Sequence, residues 1–477
     1  MAGAFQNHLD RHWFLRNGGS WILARPDTAR NECIAILALC PLLLSVALWN
    51  GFPITFFDTG AYIAQGLGHQ FMVERSAGYS HFLWATGAAF SLWLVIGVQA
   101  LMTAFVITET ARMEAPSLPI AALLGLGVLL TIGTGLPWYV GQIVPDCMTA
   151  VVALSLYLVS FHASRLGRLR TTMLVAVAAI ATAAHSSHLG LAAGLVLFIC
   201  LAKLIVRWRG GRNAAAPKVG MAALSFVLGL GIVLSSNFIL TRDVFVSKVG
   251  SVFVFGRLLQ DGIVKRLLDE TCPTSGYALC LYKDELPKTA DIWLWGTKSP
   301  FQLLDRFDGT RAESIRIISD SLRLYPKMHA RTALDAALSQ FMMFKTGDQI
   351  EPQQWILYPD VARYVPDQLQ AYMNARQQQK RFSFDVINSV HLAVGIISLC
   401  GLGLLLAWGA ARRRWHAAAL PAFIFIALIG NAFICGALSN PHDRYQSRVM
   451  WLPTLALVLT LWRARAPAQM EHAATTL

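Results

Sequence analysis

Four acidic side chains stand beside long apolar stretches of the sequence, in segments that we name by their predicted side of a membrane. Asp58 and Glu74 belong to the first outer loop (53–81), Asp146 to the second (135–146) and Asp443 to the last (439–448). Ionisable groups at such boundaries are functional candidates, because burying charge near lipid is costly. Asp58 is a candidate general base that takes a proton from a hydroxyl. The alternative is that Asp58 caps a helix over 59–68.

Three arginines in the same loops are candidate phosphate ligands, because a planar guanidinium matches phosphate oxygens. Arg444 and Arg448 are four residues apart, so they share a face if a helix starts early, and together they would clamp a phosphate or pyrophosphate. Simpler readings stay open. Arg75 would pair with Glu74 or a lipid headgroup, and the last-loop arginines would bind lipid phosphate or pair with Asp443.

Other polar residues of the outer segments have simple structural readings. The dipole of the following helix favours a carboxylate at Asp146. Trp138 and Tyr139 are typical of an interfacial aromatic belt. His185 and His188 are expected to cap a turn or bond backbone, since two histidines alone are weak support for zinc. A divalent cation stays open as a cofactor. The sequence contains no Walker phosphate loop, no Rossmann glycine fingerprint and no HExxH motif.

The composition predicts an all-α, polytopic membrane protein that positions these loops. The chain is 55% hydrophobic and 14% charged, whereas soluble proteins are nearer a quarter charged. Runs near the length of about 20 apolar residues that a spanning helix requires recur along it. They predict about ten transmembrane helices, at 33–51, 81–107, 119–136, 148–162, 172–184, 189–206, 219–239, 386–408, 417–438 and 449–462.

The distribution of basic residues predicts that both termini are cytoplasmic. With the N-terminus inside, the only basic residues of the short outer loops are Arg75, Arg444 and Arg448. The predicted cytoplasmic segments contain many more, among them Arg11, Arg16, Arg25, Arg165, Arg168, Arg170, Arg209, Arg212, Arg412, Arg413 and Arg414. The net charge of +13 is therefore mainly a signal of topology and of attraction to anionic inner-leaflet lipid. It gives no reason to invoke nucleic acid.

The seven helices of residues 1–239 and the three helices of 386–477 flank an insert at 240–385. Amphipathic patterns predict helices over 251–269, 311–325 and 329–344, with irregular packed structure at 271–310. We therefore expect a folded, mainly helical domain that leans on the outer face of the membrane. Cys272 and Cys280 lie in this insert and are candidates for a local disulfide if that side is oxidising.

Three short motifs resemble the GT-C class of membrane glycosyltransferases, which use polyprenyl-phosphate-linked sugars. The first is Phe57-Asp58-Thr59-Gly60-Ala61-Tyr62, with an acid just after the first span. The second is Arg75-Ser76-Ala77-Gly78-Tyr79, which is similar to the Arg-Pro-Pro-x-Tyr of bacterial members, although Ser76-Ala77 replaces the prolines. The third is the Arg444-Tyr445 pair. The resemblance covers 33–200 best and the last three helices loosely, and the insert matches no family.

The resemblance implies transfer of a sugar to a lipid, glycan or protein at the outer, periplasmic face of the inner membrane. Many members have paired acids in the first loop, but Thr59 follows Asp58, so Glu74 or Asp146 would supply the second catalytic acid. The remaining candidates for binding substrate and phosphate are Arg75, Tyr79, His442, Arg444, Tyr445 and Arg448.

Two other classes of function stay open. One is a glycan polymerase or ligase with a pyrophosphate-linked donor, in which arginines do most of the work. The other is a lipid or solute transporter, or a scaffold of an envelope complex. The expectation that the spans carry no charged residues disfavours transport.

Overall fold

A computed structural model describes residues 29–208, 217–412 and 415–465, so the basic residues at 11, 16, 25, 209, 212, 413 and 414 lie outside the described residues. Within those ranges the fold is all-helical, as predicted, and the only pairing of extended backbone is an isolated parallel bridge between Ile54 and Gln142. Six of the described helices are long and apolar enough to cross a membrane, and the chain is a membrane protein on that basis.

The first part of the chain forms eleven helices up to the insert, counted over the described residues. They are α1 (Ala29–Leu43), α2 (Ser45–Asn50), α3 (Thr59–Gly68), α4 (Ala77–Ala85), α5 (Leu92–Glu114), α6 (Ile120–Gly133), α7 (Leu136–Val140), α8 (Met148–Phe161), α9 (Arg168–Ala183), α10 (Ser186–Trp208) and α11 (Val219–Thr241). A short 3-10 turn, Pro145–Cys147, precedes α8.

Eight helices then form within the insert, and four follow it. The insert contains α12 (Gly250–Gln260), α13 (Ile263–Thr271), α14 (Ala290–Trp295), α15 (Pro300–Leu303), α16 (Arg306–Leu324), α17 (Pro326–Met342), α18 (Gln354–Tyr364) and α19 (Leu369–Asn374). The chain ends with α20 (Asp385–Ala411), α21 (Trp415–Ala437), α22 (Asp443–Ser447) and α23 (Trp451–Arg465).

The ten predicted apolar runs all contain helix, but not ten helices of spanning length. The candidate spans are Ala29–Asn50, Leu92–Glu114, Ser186–Trp208, Val219–Thr241, Asp385–Ala411 and Ala418–Ala437. The other four runs form α6, α8, α9 and α23, of 14 to 16 residues. At about 1.5 Å per residue, a 14-residue helix is about 21 Å long, shorter than the roughly 30 Å hydrocarbon layer. Helix α8 is instead almost wholly enclosed by its neighbours.

The run 81–107 differs from its prediction, because it contains a break. Helix α4 ends at Ala85, the chain turns through Gly87 at a φ of +86°, and α5 begins at Leu92. The Ser91 side chain caps the new helix by accepting a bond from the Trp93 amide. Apolar composition carries no signal of this break, since the residues on both sides are equally suited to lipid or protein interior.

The expectation that the spans carry no charged residues is wrong at one end of the bundle. Glu32 and Glu109 are buried within two candidate spans. Arg170 binds both carboxylates, at 3.3 Å for Glu109, and Arg112 approaches Glu109 at 2.5 Å. Helix α5 continues several residues past the predicted run, which brings its acidic end into the protein interior. These ion pairs tie α1, α5 and α9 together at the end opposite the outer loops.

The insert is mainly helical, as expected, and its residues belong to two different cores. Residues 249–325, which we call the outer lobe, enclose a core of their own that includes Phe255, Trp293 and Phe301. Further along, Phe344 and Leu357 pack into the main core of the bundle. The predicted helix 251–269 is interrupted at Gly262, which has a φ of +76°. Cys272 and Cys280 form a disulfide, with 5.6 Å between their Cα atoms.

Fusions to alkaline phosphatase, which is active only outside the cytoplasm, test the predicted orientation. We expect high phosphatase activity after truncation and fusion at Lys283, in the outer lobe, and low activity at Arg412, after α20. The basic residues near Arg412 are the physical reason, because they hold that end of the helix inside. The opposite pattern, with activity at Arg412 alone, would reverse the orientation.

Candidate functional site

Short backbone contacts bring the first and second outer loops together. The Ile54 amide donates to the Gly141 carbonyl at 2.8 Å, and the Ile143 amide donates to the Ile54 carbonyl at 3.0 Å. The Thr59 hydroxyl donates to the Ile143 carbonyl at 3.0 Å. Because Asp58 adjoins Thr59, these bonds hold its carboxylate beside the second loop.

Five charged side chains from all three outer loops form an alternating series, which we call the ion-pair chain. Its members in order are Arg75, Asp58, Arg444, Asp146 and Arg448. The nitrogen–oxygen distances between successive members, in the same order, are 2.6, 3.9, 3.5 and 2.5 Å. Three guanidiniums against two carboxylates leave an excess of one positive charge.

The chain runs from a partly accessible end to a closed one. The exposed fraction of the side chain is 19% for Asp58 and 15% for Arg75, but 3% for Asp146 and 1% for Arg448. Arg444 lies between them at 10%. A ligand from solvent or from the membrane surface would therefore meet Asp58, Arg75 and Arg444 first.

Arg448 is bonded to the protein through both terminal nitrogens of its guanidinium, whereas its Nε is buried without a partner. Besides Asp146, its guanidinium donates to the Asn431 side-chain oxygen at 3.2 Å and lies 3.4 Å from both the Ser187 hydroxyl and the Cys435 sulfur. Burial, together with the nearby charge of Arg448, lowers the pKa of His185 to about 3, so this ring stays neutral. Arg448 thus acts as an internal counter-ion that fixes the position of Asp146.

Arg444 is engaged differently, because its guanidinium donates no hydrogen bond to any described residue. It lies over the Phe56 ring, with 3.8 Å between the guanidinium carbon and the ring centroid, and its Nε is buried without a partner. Burial opposes its charge, but Asp146, Tyr445 and Asp58 together raise its pKa, so it remains a cation. A guanidinium has five N–H donors, and buried donors normally find acceptors. Arg444 is therefore oriented and charged, with donors left for a ligand.

The structure separates the two readings of Asp58 and of Arg75. The Asp58 side chain makes no capping bond to α3, although its backbone carbonyl starts the helix by accepting from Tyr62. Arg75 pairs with Asp58, and it contacts Glu74 only at the backbone carbonyl, at 3.1 Å. The Glu74 carboxylate forms no ion pair with the described residues, and so it stands apart from the ion-pair chain.

The Gly78-Tyr79 part of the second motif lies in the protein interior. Tyr79 is fully buried, and its hydroxyl donates to Gln99 at 2.8 Å. The Gln99 amide in turn donates to carbonyls of the second outer loop. At Gly78, an added Cβ would lie 2.3 Å from the Ala183 carbonyl oxygen. These two residues therefore hold the first loop, the second loop and α9 in position.

The remaining candidates of the last outer loop join the insert to the site. His442 lies between Asp291 of the outer lobe and Asp348, at 3.6 and 3.7 Å. Asp443 accepts a bond from the Lys345 amide at 2.8 Å. The Tyr445 ring lies beside both last-loop guanidiniums, at 5.1 and 5.3 Å.

Two contributors to the site, Phe56 and Asn431, are absent from the sequence-based candidates. Asn431 orients Arg448 and also donates to the Tyr445 carbonyl at 2.7 Å. A signal for it existed, since an amide inside the apolar run 417–438 is costly unless it has a partner. No comparable signal marks Phe56, because an aromatic residue at a membrane boundary is common.

His185 and His188 hydrogen-bond within the protein, as their simpler reading expects. His188 contacts the Thr149 hydroxyl at 2.7 Å and the Ala181 carbonyl at 2.9 Å, and His185 contacts the Ser187 hydroxyl at 2.8 Å. In the part of the chain that the structure describes, no three His, Cys, Asp or Glu side chains form a group that would hold a metal ion.

Substitution of Asp146 tests whether the ion-pair chain supports the fold. Asp146→Asn leaves the buried Arg448 without its counter-ion, and breaking such a pair costs about 3 kcal/mol or more. We expect this loss in the free energy of unfolding, measured by denaturant titration in mixed micelles. Asp335→Asn is the control, because its exposed pair with Arg331 contributes about 1 kcal/mol or less. Equal effects of the two substitutions would contradict a structural role for Asp146.

The chain matches no protein-family model, no curated protein and no solved structure. What the site does is therefore inferred from its own residues, their charges and their accessibility.

Proposed function

We propose that this chain is a membrane glycosyltransferase that moves a sugar from a polyprenyl-phosphate donor to a lipid, glycan or protein acceptor at the outer face of the inner membrane. The observation that supports it best is the accessible end of the ion-pair chain, where the Asp58 carboxylate lies between the guanidiniums of Arg75 and Arg444. A carboxylate beside guanidinium N–H groups that lack acceptors suits a reaction in which the carboxylate takes up a proton and a phosphate leaves.

Arg444 is the proposed ligand of the donor phosphate. Its guanidinium is held by Phe56 and its charge by Asp58 and Asp146, so its donors need no reorientation when a phosphate arrives. The net positive charge of the ion-pair chain favours an anion there. As the bond between the sugar and the phosphate breaks, negative charge grows on the phosphate oxygens, and fixed cationic donors stabilise it.

Asp58 is the proposed general base. It accepts the proton of the acceptor hydroxyl as the oxygen forms a bond to the anomeric carbon of the sugar, while the polyprenyl phosphate leaves with the electron pair of the broken bond. Arg75, at 2.6 Å, fixes the orientation of the carboxylate and neutralises it between turnovers. Glu74 has no part in this scheme, and Asp146 serves as the counter-ion of two arginines.

A short segment of the insert contacts the last outer loop. Asp348 accepts a bond from the Arg444 amide at 3.3 Å, and Lys345 binds Asp443 through its own amide. The segment 345–348 therefore lies directly against the last outer loop. We infer that this part of the insert excludes water, which would otherwise hydrolyse the donor.

The contacts of Arg448 favour a monophosphate over a pyrophosphate donor. The pyrophosphate clamp predicted from Arg444 and Arg448 requires both guanidiniums to be available, whereas Arg448 is 1% exposed and bonded to Asp146 and Asn431. Transfer from a pyrophosphate-linked oligosaccharide, with no transfer from a monophosphate-linked sugar, would favour the polymerase or ligase instead. Movement of a lipid or solute across proteoliposomes without a covalent product would favour a transporter.

Sugar transfer in membranes containing the protein and polyprenyl-phosphate sugars tests the assignment of Asp58. We expect Asp58→Asn to lower the transfer rate by about 10²- to 10⁴-fold, the contribution typical of a general base. Glu74→Gln is the matched control from the same loop and is expected to retain most of the activity. Normal transfer by Asp58→Asn would remove this residue from the base role. An unfolded variant is recognised by its loss of a sharp unfolding transition.

A further inference from the structure

Helix α17 of the insert packs beside a membrane-spanning helix. It lies along α21, and Gly436 permits the close approach, because a Cβ there would be 2.5 Å from the Ala336 carbonyl oxygen. Gln340 is fully buried at the same contact and exchanges two bonds with the backbone of His442, at 2.8 and 3.0 Å. One face of α17 is thus firmly joined to the bundle.

The end of α17 reaches the level of the apolar layer. The ring of Phe344, two residues beyond the helix, packs closely against Gly395 of α20. A Cβ added to Gly395 would lie 2.9 Å from that ring. Helix α20 has 27 residues and is about 40 Å long, roughly 10 Å longer than the hydrocarbon thickness. Gly395 lies about 15 Å from the start of α20, so it lies within the hydrocarbon even if all the excess length projects outside.

A second face of α17 is apolar and uncovered. Leu334, Leu338 and Met342 follow one another at four-residue spacing and are 59%, 59% and 68% exposed. They share a helix face and form a continuous stripe. On the adjoining α21, Ile429 and Phe433 are also exposed and lie within two turns of Gly436. The apolar stripe of α17 therefore extends the lipid-facing surface of a candidate span.

The same stripe becomes cationic toward the start of the helix. Lys327 and Arg331 precede Leu334 at helical spacing, and both side chains are exposed. Arg331 has an ion pair with Asp335 at 3.8 Å, but both side chains are largely exposed, so that pair is weak. Basic residues above an apolar face are the pattern of helices at a membrane surface, where they reach lipid phosphates.

A third side of α17 faces protein, so the outer lobe does not cover the stripe. Asp335 and Ser339 line a polar cleft together with Arg257 and Gln260 of the outer lobe and Asn440 of the last loop. The lobe thus approaches α17 from the polar side. The residues of the apolar stripe do not line this cleft, and each is more than half exposed.

We propose that α17 is embedded in the outer leaflet, with Leu334, Leu338 and Met342 against phospholipid acyl chains and with Lys327 and Arg331 at the phosphate headgroups. The insert is then attached to the bilayer through its own helix as well as through its connections to the spans. This attachment does not depend on the reaction that the ion-pair chain performs.

Photolabelling of the full chain from within the bilayer tests this proposal. The protein is reconstituted in phosphatidylcholine–phosphatidylglycerol vesicles that contain a phospholipid with an acyl-chain diazirine, irradiated, and mapped by peptide mass spectrometry. We expect labelling of 334–342 within about threefold of that at 429–433. Leu303 and Leu322, exposed apolar residues of the outer lobe, are the internal controls and should stay unlabelled.

A matched pair of variants separates lipid contact from general reactivity. Leu334→Gln with Leu338→Gln should lower labelling of 334–338 at least fivefold, whereas Leu322→Gln should not change it. Labelling at 429–433 with none at 334–342 in the wild-type chain would overturn the proposal. Cross-links from the stripe to another protein or a second copy of the chain, in place of lipid, would overturn it as well.

Discussion

The arrangement of the outer loops depends on the burial of the Asp146 carboxylate. An ionised group removed from water loses several kcal/mol of solvation unless cations and donors replace it. Here Arg448 bonds to it directly and Arg444 approaches it at 3.5 Å. Because both arginines belong to the last outer loop, this single charge requires two segments about 300 residues apart to stay together.

The same ion pairs make the two ends of the site different. At the closed end, both terminal nitrogens of Arg448 donate bonds, to Asp146, Asn431 and neighbouring groups. At the open end, Arg444 rests on the Phe56 ring, and none of its guanidinium nitrogens donates a bond to a described residue. Aromatic support keeps a guanidinium in place without using its N–H groups. The result is a fixed cation with donors available, which is the property that recognition of an anion requires.

A second set of buried charges lies at the other end of the bundle, and its central carboxylate, Glu114, has three partners. Glu114 accepts from Tyr157 at 2.5 Å and is paired with His162 at 2.7 Å and with Arg463 at 3.3 Å. These bonds connect α5, α8 and α23. Both ends of the bundle are thus held by ionic contacts, while the middle is held by apolar packing, which is not directional. At the end opposite the outer loops, the directional bonds join α1 with α5 and α9 at one point and α5 with α8 and α23 at another.

Composition and local pattern were enough to predict the membrane class, the presence of helix in each apolar run and the mainly helical insert, because each depends on residues close together in the chain. Apolar runs form helices in lipid whatever their partners, since the backbone must satisfy its own hydrogen bonds there. Motif residues were identified as candidates for the same local reason. The break at Gly87 escaped prediction, since apolar residues on either side suit both a spanning helix and a buried turn.

Tertiary structure alone decided which candidates meet and what each contacts. Nothing near Asp58 in the sequence distinguishes a helix cap from a partner of Arg75 and Arg444, because the choice is made by loops that fold from distant segments. Tyr79 belongs to a candidate motif yet lies in the interior bonded to Gln99. Charge and residue type are local properties, whereas burial and pairing depend on how the whole chain packs, and these determine which arginine retains free donors.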